Sequence, residues 1–204
     1  MNIVVDYGVG NLGAIINMLE HLGHDAVASR DPRSIVSAAR LILPGVGAFD
    51  QAMARLRELD LVAPLTEAVV ARGAPVLGIC LGMQLLGRSS DEGQRSERGL
   101  GWIPADVVKL SPHEGVKVPH MGWSEVSPTR ASALFPGGNE VPRYYFSHSY
   151  CLEPDDDRDI AARCDYGGTF AAAVARGSVF GVQFHPEKSH RHGMALLQRF
   201  MELT

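Results

Sequence analysis

The chemistry in this 204-residue chain gathers around one cysteine, in Gly78-Ile79-Cys80-Leu81-Gly82. The apolar run Val76–Ile79 reads as a short buried strand, and Leu81–Leu86 reads as a helix starting at once behind it. A nucleophile on so tight a strand-to-helix turn forms a nucleophile elbow, where flanking glycines leave room for the strained backbone. The thiol would stand at the carboxyl edge of a sheet, with a helix N-terminus favouring the thiolate. A lone cysteine is more often a small core residue; the two glycines and the strand–helix setting favour the reactive reading. Such a nucleophile needs a base, and Val179–Gln183 reads as a strand running into Phe184-His185-Pro186-Glu187. His185 falls just past that strand end, where parallel sheets collect functional groups. Pro186 fixes the local backbone, and Glu187 can orient the imidazole. Cys80, His185 and Glu187 thus form a candidate nucleophile, general base and acid, and orienting carboxylate. Taken alone, His185 would be read as a structural histidine; the elbow reverses that preference. An oxyanion also needs donors. Pro44-Gly45-Val46-Gly47, after the buried run Leu41–Leu43, offers the backbone at Gly45 and Val46, and Leu81 N–H is a second donor. Pro-Gly-x-Gly is a common turn and is weak evidence by itself.

These residues must be positioned by a sheet. In the first half, runs that are apolar on every residue (Ile3–Asp6, Leu41–Leu43, Val76–Ile79) alternate with helical patterns over Leu12–Leu22 and residues 50–72. Pro64 suits the start of a second helix within the latter span. Continuous apolar strands between helices predict a parallel sheet covered on both faces. In the second half, Asp106–Leu110, Val116–Val118, Tyr144–Tyr150, Ile160–Cys164, Phe170–Ala175 and Val179–Gln183 read as extended, and Gly193–Leu203 reads as a closing helix. The expected fold is a single α/β domain over residues 1–204, a three-layer sandwich around a mixed, mostly parallel sheet with an antiparallel excursion.

Bulk properties narrow the class. The composition, 46% hydrophobic and 21% charged, is that of a globular protein. A net charge of -4 argues against nucleic acid as the main partner. No apolar run approaches the ~20 residues that span a bilayer, and the opening residues carry no signal-type pattern. Three cysteines, Cys80, Cys151 and Cys164, cannot all pair internally, so a reducing cytoplasm is the expected setting.

Three blocks together resemble the signatures of triad-type, class I glutamine amidotransferases: Leu43-Pro44-Gly45-Val46-Gly47-Ala48-Phe49, Gly78-Ile79-Cys80-Leu81-Gly82-Met83-Gln84 and Phe184-His185-Pro186-Glu187. Two more, Asp6-Tyr7-Gly8-Val9-Gly10-Asn11-Leu12 and Pro119-His120-Met121-Gly122-Trp123, are similar to the glutaminase subunits of imidazole glycerol phosphate synthases. The resemblance implies a flavodoxin-like core and hydrolysis of L-glutamine through a γ-glutamyl thioester, with no cofactor. It implies Gln84, Glu92, His148, Ser149 and Tyr150 as substrate-binding residues, Glu92 facing the α-ammonium and Ser147–Tyr150 the α-carboxylate end. It implies a switchable peptide at Gly45-Val46. It further implies a cyclase partner of (β/α)8-barrel fold that receives the ammonia, contacted through Tyr7, Asn11, Met121 and Trp123. Trp123 could equally pack in a local core. Ser124 stands where asparagine is common in that family, and Gly87 where an aromatic is common. His190 and His192 lie near a position often held by lysine.

Rival readings remain. Gly8-x-Gly10-x-x-Gly13 after the first strand matches a dinucleotide-binding fingerprint, but Ala26–Arg30 ends in no acidic residue, and Asp31 sits between arginine and proline. His185, His190 and His192 fit no standard zinc spacing, so no metal is expected. An interaction module would leave the triad unexplained. A paralogous glutaminase subunit serving another synthase, for instance in surface-sugar biosynthesis, would share all three signature blocks.

Overall fold

The computed structural model describes residues 1–93, 98–111, 113, 115–137 and 141–203. The first half comprises β1 (Asn2–Val5), α1 (Leu12–His21), β2 (Ala26–Ser29), α2 (Pro32–Val36) and β3 (Arg40–Gly45). Next come α3 (Phe49–Glu58), α4 (Val62–Thr66), which runs on as a π-helical turn over Glu67–Ala71, β4 (Val76–Cys80) and the short α5 (Leu81–Gln84). The strand-rich half holds β5 (Ser89–Ser90), β6 (Ala105–Lys109), β7 (His120–Glu125), β8 (Ser127–Pro128), β9 (Arg143–His148) and β10 (Tyr150–Pro154). It ends with β11 (Ile160–Asp165), β12 (Thr169–Arg176), β13 (Val179–Val182) and α6 (His190–Met201).

Eight strands form the central sheet in the order β2-β1-β3-β4-β13-β12-β11-β8. The first five are mutually parallel and the last three antiparallel, the mixed, mostly parallel arrangement expected. Alternation along the inner strands separates two cores. Ile3, Val5, Leu41 and Leu43 face one core with α3 and α4, while Val4 and Ile42 face the other with α1 and α6. The small sheet β10-β6-β5 adds Ala105, Val107 and Leu152 to the first core, and the β7-β9 pair adds Tyr144 and Phe146 to the second. The result is three layers.

Local chemistry explains the element starts. Asn11 caps α1 by accepting from Ala14 N–H at 3.2 Å, and Ile15 and Leu19, one turn apart, turn inward. Asp31 caps α2 in the same way, with Pro32 at the first helical position. The structure adds β5, β7 and β8 to the strands read from the sequence and differs from that reading in other places. Val116–Val118 is not a strand: it leaves a turn at Gly115 (φ 91°) and is at most half-buried, so no core selects a register for it. The extended run Tyr144–Tyr150 divides at Ser149 into β9 and β10, which belong to different sheets. The short elements β2 and α2 also intervene before β3; β2 shows a half-exposed pattern typical of an edge.

Candidate active site

The predicted triad and oxyanion residues hang on three adjacent strands, β3, β4 and β13, whose carboxyl ends lie side by side. Cys80 ends β4 with φ 55° and ψ -112°, a conformation that costs a non-glycine residue of order 1–3 kcal/mol and persists only where its surroundings enforce it. The enforcement is visible in the neighbouring glycines. A Cβ at Gly78 would lie 2.6 Å from the carbonyl oxygen of Gly82, and one at Gly82 would overlap the carbonyl of Leu43. Helix α5 therefore springs from the sheet with its backbone pressed against β3 and β4. Gly45 pairs with Cys80 in register, and a Cβ there would come within 2.7 Å of Gly82 N. The strand bearing Gly45-Val46 thus runs alongside Cys80.

Strand β13 delivers the candidate base. His185, three residues past Val182, is buried and bonds through its N–H to Tyr145 O at 2.9 Å. Ser189 Oγ donates to the His185 carbonyl at 2.6 Å, which fixes the turn. His185 Nδ1 lies 2.8 Å from Glu187 Oε1. A carboxylate can only accept, so Nδ1 carries the proton and Nε2 is left for the thiol. Burial alone would lower the His185 pKa, but its hydrogen bonds with Cys80 and Glu187 outweigh burial and raise it to about 9. The ring therefore holds a proton at neutral pH, ready for a leaving group. Glu187 Oε2 is buried without a partner among the described residues; such a carboxylate depends strongly on the charged ring beside it.

A cavity of about 320 Å³ opens over the thiol. It is lined by Val46, Leu81, Gln84, Glu92, His148, Ser149 and Tyr150, together with Cys80 and His185, so most of the predicted site residues converge on it. Glu187 sits behind His185, and Gly45 lies in the strand beneath. Glu92 also serves the fold, because its Oε2 accepts from Phe49 N–H at 2.9 Å and supplies the cap that α3 lacks in its own sequence. Ser147, the start of the segment expected at the α-carboxylate end, also lines the cavity, as do Gly47, Pro119 and Lys188, to which the sequence gives no role in the glutamine pocket. Nor does it give one to Gln183, fully buried, whose Nε2 donates to Cys80 Sγ at 3.7 Å. The one amide in the otherwise apolar run Val179–Phe184 was the signal that could have found it.

Of the expected partner contacts, Met121 (61% exposed) and Trp123 (38%) lie outward on β7, and Asn11 is exposed while capping α1. Tyr7 corrects the reading. It is fully buried and donates its hydroxyl to Pro44 O at 2.6 Å, next to the Gly45-Val46 peptide. The physical reason is alternation: Ile3, Val5 and Tyr7 follow one another at period two into the same core. Gly87 is explained by space, since even a Cβ would meet Leu152 Cδ1 at 2.7 Å and Ala105 O at 2.9 Å. His190 stacks on Trp123, centroids 5.3 Å apart, and among the described residues no cluster of His, Cys, Asp or Glu could hold a metal ion.

Known proteins match this chain throughout. The family model for class-I glutamine amidotransferases covers residues 3–203. A Pseudomonas aeruginosa protein named imidazole glycerol phosphate synthase subunit HisH 2 is 52% identical over 204 residues, 100% of each chain. A Methanococcus maripaludis protein of the same name is 45% identical over 98% of each chain, and the Moorella thermoacetica HisH subunit is 46% identical over 98% of this chain and 94% of its own. Among solved structures, one titled as a glutamine amidotransferase superposes with a TM-score of 0.75 at 19% identity, covering 98% of this chain and 97% of its own. The Thermotoga maritima PurLQS structure superposes with a TM-score of 0.73 at 20% identity, covering 98% and 96%; both establish the fold. The chain belongs to the class-I glutamine amidotransferases, in the group of imidazole glycerol phosphate synthase HisH subunits.

Proposed function

We propose that this chain is the glutaminase subunit of an imidazole glycerol phosphate synthase, acting as one 204-residue domain that hydrolyses L-glutamine and passes ammonia to a cyclase subunit of (β/α)8-barrel fold in histidine biosynthesis. The observation that carries the reading is the strained Cys80 elbow beside a buried, proton-holding His185 backed by Glu187. The Cys80 sulfur attacks the side-chain amide carbon of glutamine, and the resulting oxyanion is met by Leu81 N–H and the Gly45-Val46 peptide. His185 gives its proton to the amide nitrogen, the C–N bond breaks, and ammonia leaves a γ-glutamyl thioester on Cys80. The now neutral His185 takes a proton from water, whose oxygen attacks the thioester carbon; collapse expels the Cys80 sulfur as thiolate beside the protonated ring, and the product acid gives its proton to solvent and leaves as glutamate. Each oxyanion donor contributes about 3–4 kcal/mol to such a step.

Gln84, Glu92 and the Ser147–Tyr150 segment hold the substrate's amino-acid end. Val46 is 49% exposed and its neighbour Gly47 has φ 95°, a pair suited to a peptide that turns over when a partner docks. Met121 and Trp123 supply an apolar face beside the cavity for that partner. Three free cysteines fit a reducing compartment, and among the described residues no helix is long and apolar enough to cross a membrane; we place the chain in the cytoplasm.

The test is glutamate release from glutamine by the purified chain alone, with the cyclase, and with the cyclase plus its ribonucleotide ligand, each paired with C80A. Low activity alone, a sharp rise with the loaded cyclase and none in C80A is the expected pattern. A Cys80-dependent rate that ignores the cyclase would assign the chain to a different synthase. Absence of glutaminase activity in every condition would overturn the reading.

A further inference from the structure

Beneath β7 runs a line of polar groups that the glutaminase steps do not use. His148 Nδ1 lies 2.8 Å from the carbonyl oxygen of Tyr150, and His148 Nε2 lies 3.1 Å from His120 Nδ1. His120 Nε2 in turn lies 2.8 Å from Ser124 Oγ. Both rings are buried, and His120 stacks on Phe146 and on Tyr166 with centroids 4.6 Å and 3.8 Å away. Burial lowers the pKa of each ring to about 4, so each carries a single ring proton at neutral pH.

The direction of the line then follows from valence alone. A carbonyl only accepts, so His148 Nδ1 bears the proton and His148 Nε2 is bare. The bare nitrogen must accept from His120 Nδ1–H. That leaves His120 Nε2 bare, to accept the Ser124 hydroxyl proton. At its far end the Tyr150 carbonyl also receives Gln84 Nε2–H at 2.9 Å. The second Gln84 Nε2 hydrogen goes to Gln183 Oε1 at 3.0 Å, which turns Gln183 Nε2 toward the Cys80 sulfur. Ser124 on β7, whose side chain also hydrogen-bonds Cys164, is thereby linked without a gap to the wall of the cavity and on to Cys80.

We infer that Ser124 and His120 are positioning residues for the glutamine pocket, fixing the His148 ring and the Tyr150 carbonyl to the strand that carries Met121 and Trp123. This rests on the glutaminase reading for its kinetic consequence only; the hydrogen-bond direction does not depend on it. Ser124 is half-buried at one end of the line, so S124A removes the first donor while leaving the core intact. His120 Nε2 is then left unsatisfied and the outer end of the His120 ring loses its anchor, while the Tyr150 carbonyl still holds the His148 proton on Nδ1.

The experiment combines imidazole 15N chemical shifts with glutamine kinetics. In the unmodified protein, both His120 and His148 should show the Nδ1–H tautomer. S124A should leave both rings as Nδ1–H tautomers, move the His120 Nε2 shift as its donor is lost, and raise the glutamine KM roughly threefold or more, with kcat little changed. H120N, whose amide nitrogen falls where Nδ1 stood, should keep a hydrogen-bonded His148 Nε2 shift and a near-normal KM, whereas H120L should lose both. A His148 Nε2–H tautomer in the unmodified protein, or S124A that moves neither the His120 Nε2 shift nor KM, overturns the inference. If the His120 variants fail to fold, the unmodified spectrum and S124A still decide it. Should no glutaminase activity exist at all, the tautomers test the line separately, so the two failures are distinguishable.

Discussion

Two of the strand-to-helix turns that carry closely spaced glycines, β4–α5 and β1–α1, are built on different physics. At the β4–α5 turn, Gly78 and Gly82 are demanded by contact: a Cβ on either would strike backbone, and between them Cys80 is held at φ 55°. At the β1–α1 turn, Gly8-x-Gly10-x-x-Gly13 has the spacing of a phosphate-binding fingerprint but little of that compression. Gly8 and Gly10 take positive φ values of 84° and 101°, while a Cβ at Gly13 would meet nothing within 4 Å. In a dinucleotide site the third glycine allows close helix–strand packing; here no such packing exists. Asp31, the nearest acidic candidate beyond β2, is occupied in capping α2. Glycine spacing acquires chemical meaning only where the fold closes on it. The elbow spends stability to aim a sulfur, and the other turn simply reverses the chain.

Substitutions can break or sharpen this contrast. The largest effect is expected from C80A, which should abolish glutamate release by at least about a thousandfold while leaving the fold intact. Next is G82A. Its methyl would overlap the Leu43 carbonyl, a backbone atom that cannot rotate aside, so the cost in unfolding free energy should reach about 3 kcal/mol or more, read by chemical denaturation. E187Q tests what stands behind the elbow. The His185 pKa is raised to about 9, so the proton needed by the leaving group persists through neutrality and kcat/KM should fall as pH rises through about 9. The same shift contributes stability that is fully present below the ordinary histidine value of 6.5 and lost as pH climbs through about 9. Removing the Glu187 charge should move the alkaline limb toward neutral pH and lower activity by ~10²-fold. The smallest effect belongs to the control turn: G13A, inside α1 with open space around it, should stabilise by roughly 0.5 kcal/mol, and activity should not change.

The same contrast explains what was legible in the sequence. The elbow and His185-Pro186-Glu187 could be read because each is a local motif at the end of an apolar strand. Their meeting across more than a hundred residues follows once β13 is laid parallel to β4, with Gly181 opposite Gly78. Tyr7 was misplaced because motif resemblance was given precedence over the two-residue period that buries it with Ile3 and Val5. The break at Ser149 was hidden, since the alternation of Tyr144–Tyr150 continues smoothly through the point where the chain changes sheets. Glu92 as the cap of α3 could not be foreseen either, because the helix start and its carboxylate lie 43 positions apart. The Ser124–His120–His148 line was equally invisible: it needs β7 paired with β9 so that His120 faces His148.

The central claim is that one of three thiols is the nucleophile toward glutamine. Burial raises the pKa of Cys151 and Cys164 to about 12, while Cys80 stands in the cavity wall. The most direct measurement is peptide mapping after treatment with a glutamine analogue that carries an electrophile at the side-chain carbonyl position, with residual glutaminase activity followed in parallel. One adduct per chain, on Cys80, rising in step with the loss of activity and prevented by excess glutamine, is the predicted result. Glutaminase activity that survives full labelling of Cys80, or adducts that fall equally on Cys151 and Cys164, would contradict the account.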